Sequence, residues 1–132
     1  MYFLDTNTIS YLLEGNTAVL QEYLLARETD VIRVPDIVYY EVYRGLLYRD
    51  SRKLMKAFTA FSEELGIVSI SRSDFEKAAV IYAELRKSGI TIDDDDILIA
   101  AMAVNHDAIL VTHNTRHFST IKDLRIETWV TT

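Results

Sequence analysis

Short, mostly apolar runs alternate along the chain with longer segments whose apolar residues recur every three or four positions. Runs without period-two alternation indicate strands covered on both faces, and the longer segments indicate amphipathic or buried helices. This alternation is typical of an α/β fold with a mostly parallel central sheet flanked by helices in three layers. The predicted strands are Tyr2–Leu4, Val31–Val34, Ile67–Ile70, Ala108–Val111 and Ile126–Val130.

Polar residues at the starts of the helical segments predict where several helices begin. The first helix is expected to be capped within Asp5–Asn7, and Asp36 is expected to cap the helix that follows Pro35. Ser73 and Glu76 have the spacing of a capping box, which predicts a helix from there to Gly89.

Four consecutive aspartates, Asp93–Asp96, directly precede the apolar segment Ile97–Met102. The segment predicts a buried helix running to Asn105, with the acids at its start. Carboxylates favour a helix N-terminus, but the gain is about 0.3–1 kcal/mol per charge, and adjacent aspartates repel one another. A cation held among the acids would relieve that repulsion. On this stretch alone, helix capping and metal binding both remain open.

The expected sheet brings distant polar residues to one edge. Ligands of such sheets bind beyond the carboxyl ends of the strands, near the switch in strand order. Asp5 follows the first strand, and Thr112–Asn114 follow the fourth. One cleft is therefore expected to hold Asp5, members of the acidic run and Asn114.

Composition narrows the classes of function. The 132 residues suit one domain, and the absence of cysteine excludes disulfides, thiolate chemistry and zinc–sulfur sites. The N-terminus reaches Asp5 too soon for a signal peptide, and no apolar stretch suits a membrane span, so a cytoplasmic location is expected. The net charge of −6 is wrong for a generic nucleic-acid binder. A nucleic-acid role would therefore depend on a local site or on metal ions.

The usual cofactor and nucleophile motifs are missing from the sequence. There is no G-x-G-x-x-G, no P-loop and no G-x-S-x-G elbow. Asp5-Thr6-Asn7 resembles the start of a haloacid-dehalogenase-type phosphatase, but Asn7 cannot be a general acid. Carboxylates with hydroxyl and amide neighbours remain, and these are the ligands that Mg²⁺ or Mn²⁺ prefers.

Taken together, the motifs resemble those of a known family. Over nearly its full length the chain is similar to the PIN domains, and among them to the VapC-type toxin ribonucleases of toxin–antitoxin modules. The motifs that carry the resemblance, in order, are Leu4–Asn7, Glu41–Gly45, Asp96–Ala101, Leu110–Asn114 and Arg116–Phe118.

The resemblance implies a set of metal-binding residues. Asp5, Glu41 and Asp96 match the three core acids, and Asp94 is the next choice within the acidic run. Asn114 falls where many relatives carry a fourth aspartate, which implies a weaker second metal site.

Other residues receive supporting interpretations. Asn7 and Thr112 are expected to orient the ligands or the substrate, with turn roles nearly as probable on sequence grounds. Asp93 and Asp95 are interpreted as capping or solvent-facing residues. Three alternatives stay open: Asp5 and Asp96 as plain helix caps, and Glu41 as the partner of Arg44. Ligand roles are not expected for the histidines, which are His106, His113 and His117.

The family implies an activity. The expected activity is that of a metal-dependent endoribonuclease, formed by a single PIN domain over residues 1–132, in which a water activated by Mg²⁺ or Mn²⁺ would hydrolyse RNA phosphodiester bonds. It also implies a toxin restrained by a cognate VapB-type antitoxin, and a homodimer. The rivals are a catalytically inactive PIN-like binding scaffold and a PIN nuclease of RNA or DNA processing. Several tyrosines of the third helix suit a protein interface or RNA bases: Tyr39, Tyr40, Tyr43 and Tyr48.

Overall fold

A parallel sheet built from short strands forms the centre of the computed structural model, which describes residues 1–130. Within these residues the strands are Tyr2–Leu4 (β1), Ile32–Pro35 (β2), Ile67–Val68 (β3), Ile109–Val111 (β4) and Arg125–Glu127 (β5). The helices are Thr6–Leu13 (α1), Thr17–Thr29 (α2), Asp36–Arg49 (α3), Arg52–Leu65 (α4), Arg72–Lys87 (α5), Asp94–Asn105 (α6) and Thr115–Phe118 (α7).

The strand order is β3-β2-β1-β4-β5, and every pairing in it is parallel. This confirms the predicted α/β architecture with a parallel sheet flanked by helices. The chain builds outward from β1 through β2 to β3, and then crosses to the other side of β1 for β4. The switch in strand order therefore lies between β1 and β4, where a ligand site is expected at the carboxyl edge. At that edge Leu4 pairs with Val111, and the backbone N–H of Asp5 donates to the Val111 carbonyl at 2.9 Å.

The core is densest around the two central strands and α6. Phe3, Leu4 and Leu110 are fully buried, as are the α6 residues from Ile99 to Ala103. The apolar run after the acidic residues thus forms the buried helix that its composition predicts. Because the rest of α6 is fixed in the core, its first turn is held at the carboxyl edge of the sheet.

The structure corrects several details near helix starts and strand ends, and β3 ends at Val68 instead of the predicted Ile70. The capping box of α5 is formed by Ser71 and Asp74. It forms there because the fully buried Asp74 carboxylate also accepts from Asn105 Nδ2 at 2.8 Å, a tertiary contact that Ser73 cannot share. Asp36 is the first residue of α3, and its side chain accepts from the Ile70 backbone N–H instead of capping the helix. The last strand ends at Glu127, before the predicted Val130.

Within residues 1–130, no helix combines the length and apolarity that crossing a membrane requires.

The observed cap predicts different effects for two serines that lie two positions apart. Ser71→Ala removes the side-chain acceptor of the Asp74 N–H and should lower the free energy of unfolding by about 1 kcal/mol. Ser73→Ala is the matched control and should change it by less than about 0.5 kcal/mol. Urea titration of both variants measures the difference. Equal losses would contradict the assignment of Ser71 as the cap.

Candidate active site

Asp5 lies at the junction of β1 and α1, with 5% of its surface exposed. Its Oδ1 accepts from the Thr6 backbone N–H at 2.8 Å, which is the capping bond of α1. Its Oδ2 accepts from the Thr112 hydroxyl at 2.8 Å. Burial raises the pKa of Asp5, and these two hydrogen bonds oppose the increase. Asp5 is therefore a helix cap, and it is also a desolvated acid joined to the end of β4.

Glu41 enters the same region from the second turn of α3. Its Oε1 accepts from the Thr6 hydroxyl at 2.9 Å, so Thr6 contacts both acids. Arg44 Nη2 is 3.9 Å from Glu41 Oε2, beyond hydrogen-bond distance, and the Arg44 side chain is 54% exposed. An exposed cation at that distance contributes little. Pairing with Arg44 therefore does not account for the position of Glu41.

The carboxyl group of Glu41 is in an unfavourable place for a negative charge. Burial raises its pKa to about 7; the Thr6 hydrogen bond opposes the increase, whereas a hydrogen bond to Asp95 and the charges of Asp95 and Asp5 add to it. Neighbouring carboxylates thus compete for the same region, and the structure supplies no cation of its own close enough to compensate Glu41 fully within residues 1–130.

Asp96 completes the group of acids from the first turn of α6. Its side chain is 20% exposed and lines the same cavity as Asp5 and Glu41. Burial raises the pKa of Asp96 to about 6, with a further increase from the charge of Asp5 and a decrease caused by His117. His117 Nδ1 lies 3.7 Å from Asp96 Oδ2, a charge contact too long for a hydrogen bond.

The side chains of the acidic run lie on different sides of α6, because successive helical residues point about 100° apart. Asp95 is half-buried, and its charge raises the pKa of Glu41. Asp94 is exposed and lines a separate groove beside Phe75 and Tyr82. Asp94, the predicted next acid of the site, is therefore not among the residues that line this cavity. Asp93 has the N-cap backbone conformation, but its side chain makes no capping hydrogen bond.

Hydroxyl and amide groups fasten the end of β4 to the end of β1. The buried Thr112 hydroxyl donates to Asp5 and accepts from the Asn114 backbone N–H at 3.0 Å. Asn7 Oδ1 accepts from the His113 backbone N–H at 3.0 Å. Thr8 adds a buried bond from its hydroxyl to the Val111 carbonyl at 2.9 Å. These bonds hold the loop after β1 and the loop after β4 together.

These groups surround a cavity of about 540 Å³ at the carboxyl edge of the sheet. Five of the seven residues singled out from the sequence line it, and a sixth, Thr112, contacts Asp5, one of those five. Its polar atoms are mainly oxygens of carboxyl, hydroxyl and amide groups, the donor set of a hard divalent cation. The lining residues are Asp5, Thr6, Asn7, Ser10, Tyr11, Glu14, Glu41, Asp96 and Asn114.

The donor set fits a divalent cation, although the carboxylates do not form a closed cage. Within residues 1–130, no three His, Cys, Asp or Glu side chains converge tightly enough to hold a metal ion as they stand. Hydrogen bonds from Thr112 and Thr6 orient Asp5, and a hydrogen bond from Thr6 orients Glu41. The raised pKa values of Asp5, Glu41 and Asp96 show that the three charges destabilise one another or lose solvent at this site. A cation would remove that cost.

Comparison with known proteins agrees with this geometry. The family model of the PIN domain matches residues 2–124. The chain is also 30% identical over 131 residues to ribonuclease VapC2 of Haemophilus influenzae strain Rd, covering 98% of both proteins. The chain belongs to the PIN-domain family, with the VapC-type members.

Solved structures show the same fold for this PIN domain. It matches a chain in the crystal structure of VapBC2 from Rickettsia felis bound to a promoter DNA fragment, with a TM-score of 0.85 and 27% identity over 98% of each chain. It matches a chain of VapBC-1 from nontypeable Haemophilus influenzae with a TM-score of 0.84 and 26% identity over 97% of each chain.

Several residues of the site are missed by sequence reasoning. His117 reaches Asp96 because the short helix α7 begins after Asn114 and turns the imidazole back, so Asn114 Nδ2 lies 3.0 Å from His117 Nδ1. The turn at Asn114 argues against a shared helix face for His113 and His117. His117 nevertheless lies close to Asp96. Ser10, Tyr11 and Glu14 follow Asn7 at spacings of three, four and seven, a helical pattern that identifies the face of α1 in hindsight.

The raised pKa values predict that neutral variants are more stable in metal-free buffer at alkaline pH. A raised carboxyl pKa contributes stability that is complete below the ordinary pKa and is lost as pH rises through about 6 to 7. In EDTA at pH 8, Glu41→Gln and Asp96→Asn should therefore raise the free energy of unfolding by about 1 kcal/mol, a value reduced by partial solvation. The gain should become smaller at pH 5 and vanish only below the ordinary carboxyl pKa values of 3.8 and 4.5.

Urea titration between pH 5 and pH 8 measures this effect. Glu63→Gln replaces an exposed acid of α4 and serves as the control, which should show no such pH-dependent gain. Lower stability of both site variants at pH 8 would mean that the carboxylates are favourably paired in the protein.

Proposed function

We propose that this PIN domain, spanning residues 1–132 as one unit, is the cytoplasmic toxin ribonuclease of a toxin–antitoxin module and cuts RNA with a divalent metal ion. The ribonuclease activity follows from membership with the VapC-type proteins. The observation that supports a metal is the convergence of Asp5, Glu41 and Asp96, from three separate elements, on one cavity in which their charged forms are disfavoured.

The acids present suit Mg²⁺ or Mn²⁺. Asp5, Glu41 and Asp96 would hold the ion, with Asn114 as an assisting ligand. Because Mg²⁺ keeps several waters in proteins, some of these carboxylates would act through water rather than by direct bonds, which suits their open arrangement. When bound, such an ion supplies an activated water and stabilises negative charge on the phosphoryl oxygens.

The protein's own groups keep the acids aligned for that role. Thr6 fixes both Asp5 and Glu41 through its backbone N–H and its hydroxyl. Thr112 directs the second oxygen of Asp5, and Thr112 is itself tied to Asn114. Attack on an RNA phosphodiester in line with the leaving 3′-oxygen gives a 5′-phosphate and a 3′-hydroxyl. Rigid placement of the acids helps because catalysis requires the reacting groups to be held close to the productive geometry.

A protein partner is part of the proposal. Two of the matched structures are VapBC assemblies by their descriptions. We propose a VapB-type antitoxin for this chain, together with a homodimer. The exposed side chains of α3 give such a partner apolar and aromatic surface: Tyr40, Tyr43, Leu47 and Tyr48.

Substitution of individual aspartates tests the site, with Asp94 of the acidic run as the control position. Asp5→Asn and Asp96→Asn should each lower the rate of RNA cleavage at least about 100-fold, because each removes a charge needed for the metal. Asp94→Asn, which changes a neighbour of Asp96 outside the cavity, should keep cleavage within a few-fold of the unchanged protein. The assay follows RNA integrity with Mg²⁺ or Mn²⁺, beside growth of cells expressing each variant.

If the unchanged protein neither slows growth nor cuts RNA with either metal, the chain is a binding scaffold. If Asp94→Asn inactivates it as strongly as Asp96→Asn, the assignment within the acidic run is wrong.

Metal binding can be measured without catalysis. Saturating Mn²⁺ should raise the melting temperature, since an ion present at 100 times its dissociation constant stabilises the folded state by about 2.7 kcal/mol. Asp5→Asn and Glu41→Gln should abolish most of that increase, and Asp94→Asn should preserve it. An identical shift in all variants would place the bound ion elsewhere.

A further inference from the structure

The wall of the cavity is poor in groups that attract RNA by charge. Within the part of the chain that the structure describes, none of the side chains lining the cavity is a lysine or an arginine. The two arginines that flank it already face acids: Arg49 Nη1 lies 3.3 Å from Glu14 Oε1, and Arg44 Nη2 lies 3.9 Å from Glu41 Oε2. A negatively charged RNA strand therefore gains little from direct ion pairs here, and contacts that do not depend on charge carry more weight.

Tyr11 supplies an aromatic surface in this wall. Its side chain is half-buried and lines the cavity with Asp5, Glu41 and Asp96, and among the described lining residues it is the aromatic one. It lies four residues after Asn7 on α1, so both side chains point to the same side of the helix. The ring is thus beside the acids, on a regular element and not on a loose loop.

The imidazole ring of His113 packs against the phenol ring of Tyr11. The Tyr11 and His113 ring centroids are 5.8 Å apart, with an interplanar angle of 77°, an edge-to-face arrangement. The backbone N–H of His113 donates in turn to the side-chain oxygen Oδ1 of Asn7 at 3.0 Å. This arrangement limits rotation of the phenol ring, and a ring held in place loses less entropy when a base stacks on it.

We propose that Tyr11 forms a subsite for one unpaired nucleobase next to the scissile phosphate, with His113 as its edge-on support. The proposal rests on the ribonuclease function proposed above and adds a positioning residue to it. The favoured substrate is accordingly a single-stranded or looped RNA, because a base within a duplex has no free face to offer. Stacking tolerates any base, so the subsite orients the strand without selecting sequence by itself.

Cleavage kinetics on a short single-stranded RNA can test the stacking of a base on Tyr11, by changes in the protein and by changes in the RNA. Tyr11→Phe keeps the ring and should leave kcat/KM within about two-fold, whereas Tyr11→Leu keeps apolar bulk and should lower it about ten-fold, the size expected for one stacked base. The loss should appear mainly in KM, since stacking binds substrate and transition state alike. Tyr82→Leu changes a half-exposed tyrosine of α5 away from the cavity and is the control.

The substrate side uses the same RNA with single abasic positions around the cut. One abasic position should lower kcat/KM of the unchanged protein about ten-fold. The same abasic position should lower kcat/KM of Tyr11→Leu almost no further, because the ring on which the base stacks is already absent. Additive losses would overturn the proposal, as would a Tyr11→Phe variant as impaired as Tyr11→Leu. Absence of cleavage by the unchanged protein would instead be a failure of the proposed function.

A binding measurement removes the dependence on cleavage. In Asp96→Asn, an RNA carrying 2-aminopurine at the sensitive position should lose fluorescence on binding as the base stacks on the ring. Adding Tyr11→Leu to that variant should restore the fluorescence of the bound RNA, and adding Tyr82→Leu should not. Equal quenching in both double variants would overturn the assignment of Tyr11, even if Tyr11→Leu proved too unstable for kinetics.

Discussion

The desolvation of neighbouring acids, to which repulsion between their charges adds, is the constraint on which the rest of this structure depends. Asp5, Glu41 and Asp96 are brought together where solvent is scarce, and the pKa of each is raised. Burying a charge costs free energy unless a partner compensates it. The fold offsets that cost with a large apolar core around β1, β4 and α6. The same unfavourable charge is what would favour a cation in the cavity under the proposed function.

Hydrogen bonds from two threonines hold these acids in a defined geometry. Thr6 contacts Asp5 and Glu41 from one residue, and Thr112 contacts Asp5 from the neighbouring strand. Hydroxyl groups suit this role, because they bind a carboxylate without carrying a charge that would compete with a metal ion. An arginine in the same place would satisfy the acids permanently. The distance of Arg44 from Glu41 fits this distinction, since the cation stays at the rim.

Much of this arrangement is predictable from residue types and their order. The apolar runs identify strands at the right places, and the position of Asp5 and Thr112 after two of them predicts a shared edge of the sheet. What the sequence does not reveal is rotation about helix axes. Asp94 and Asp95 are identical residue types in adjacent positions, but their side chains point about 100° apart on the helix. Asp94 therefore lines the groove beside Phe75, whereas Asp95 lies on the side of Glu41. The cap of α5 is decided in the same way, by a contact between Asp74 and Asn105 that no local spacing encodes.

The hydrogen bond between Thr112 and Asp5 spans 107 positions of the sequence. A ribosome must therefore synthesise most of the chain before this bond can form, and β4 must leave the exit tunnel before it can pair with β1. Until then the first acid lacks its partner strand, and the emerging polypeptide cannot assemble the cavity.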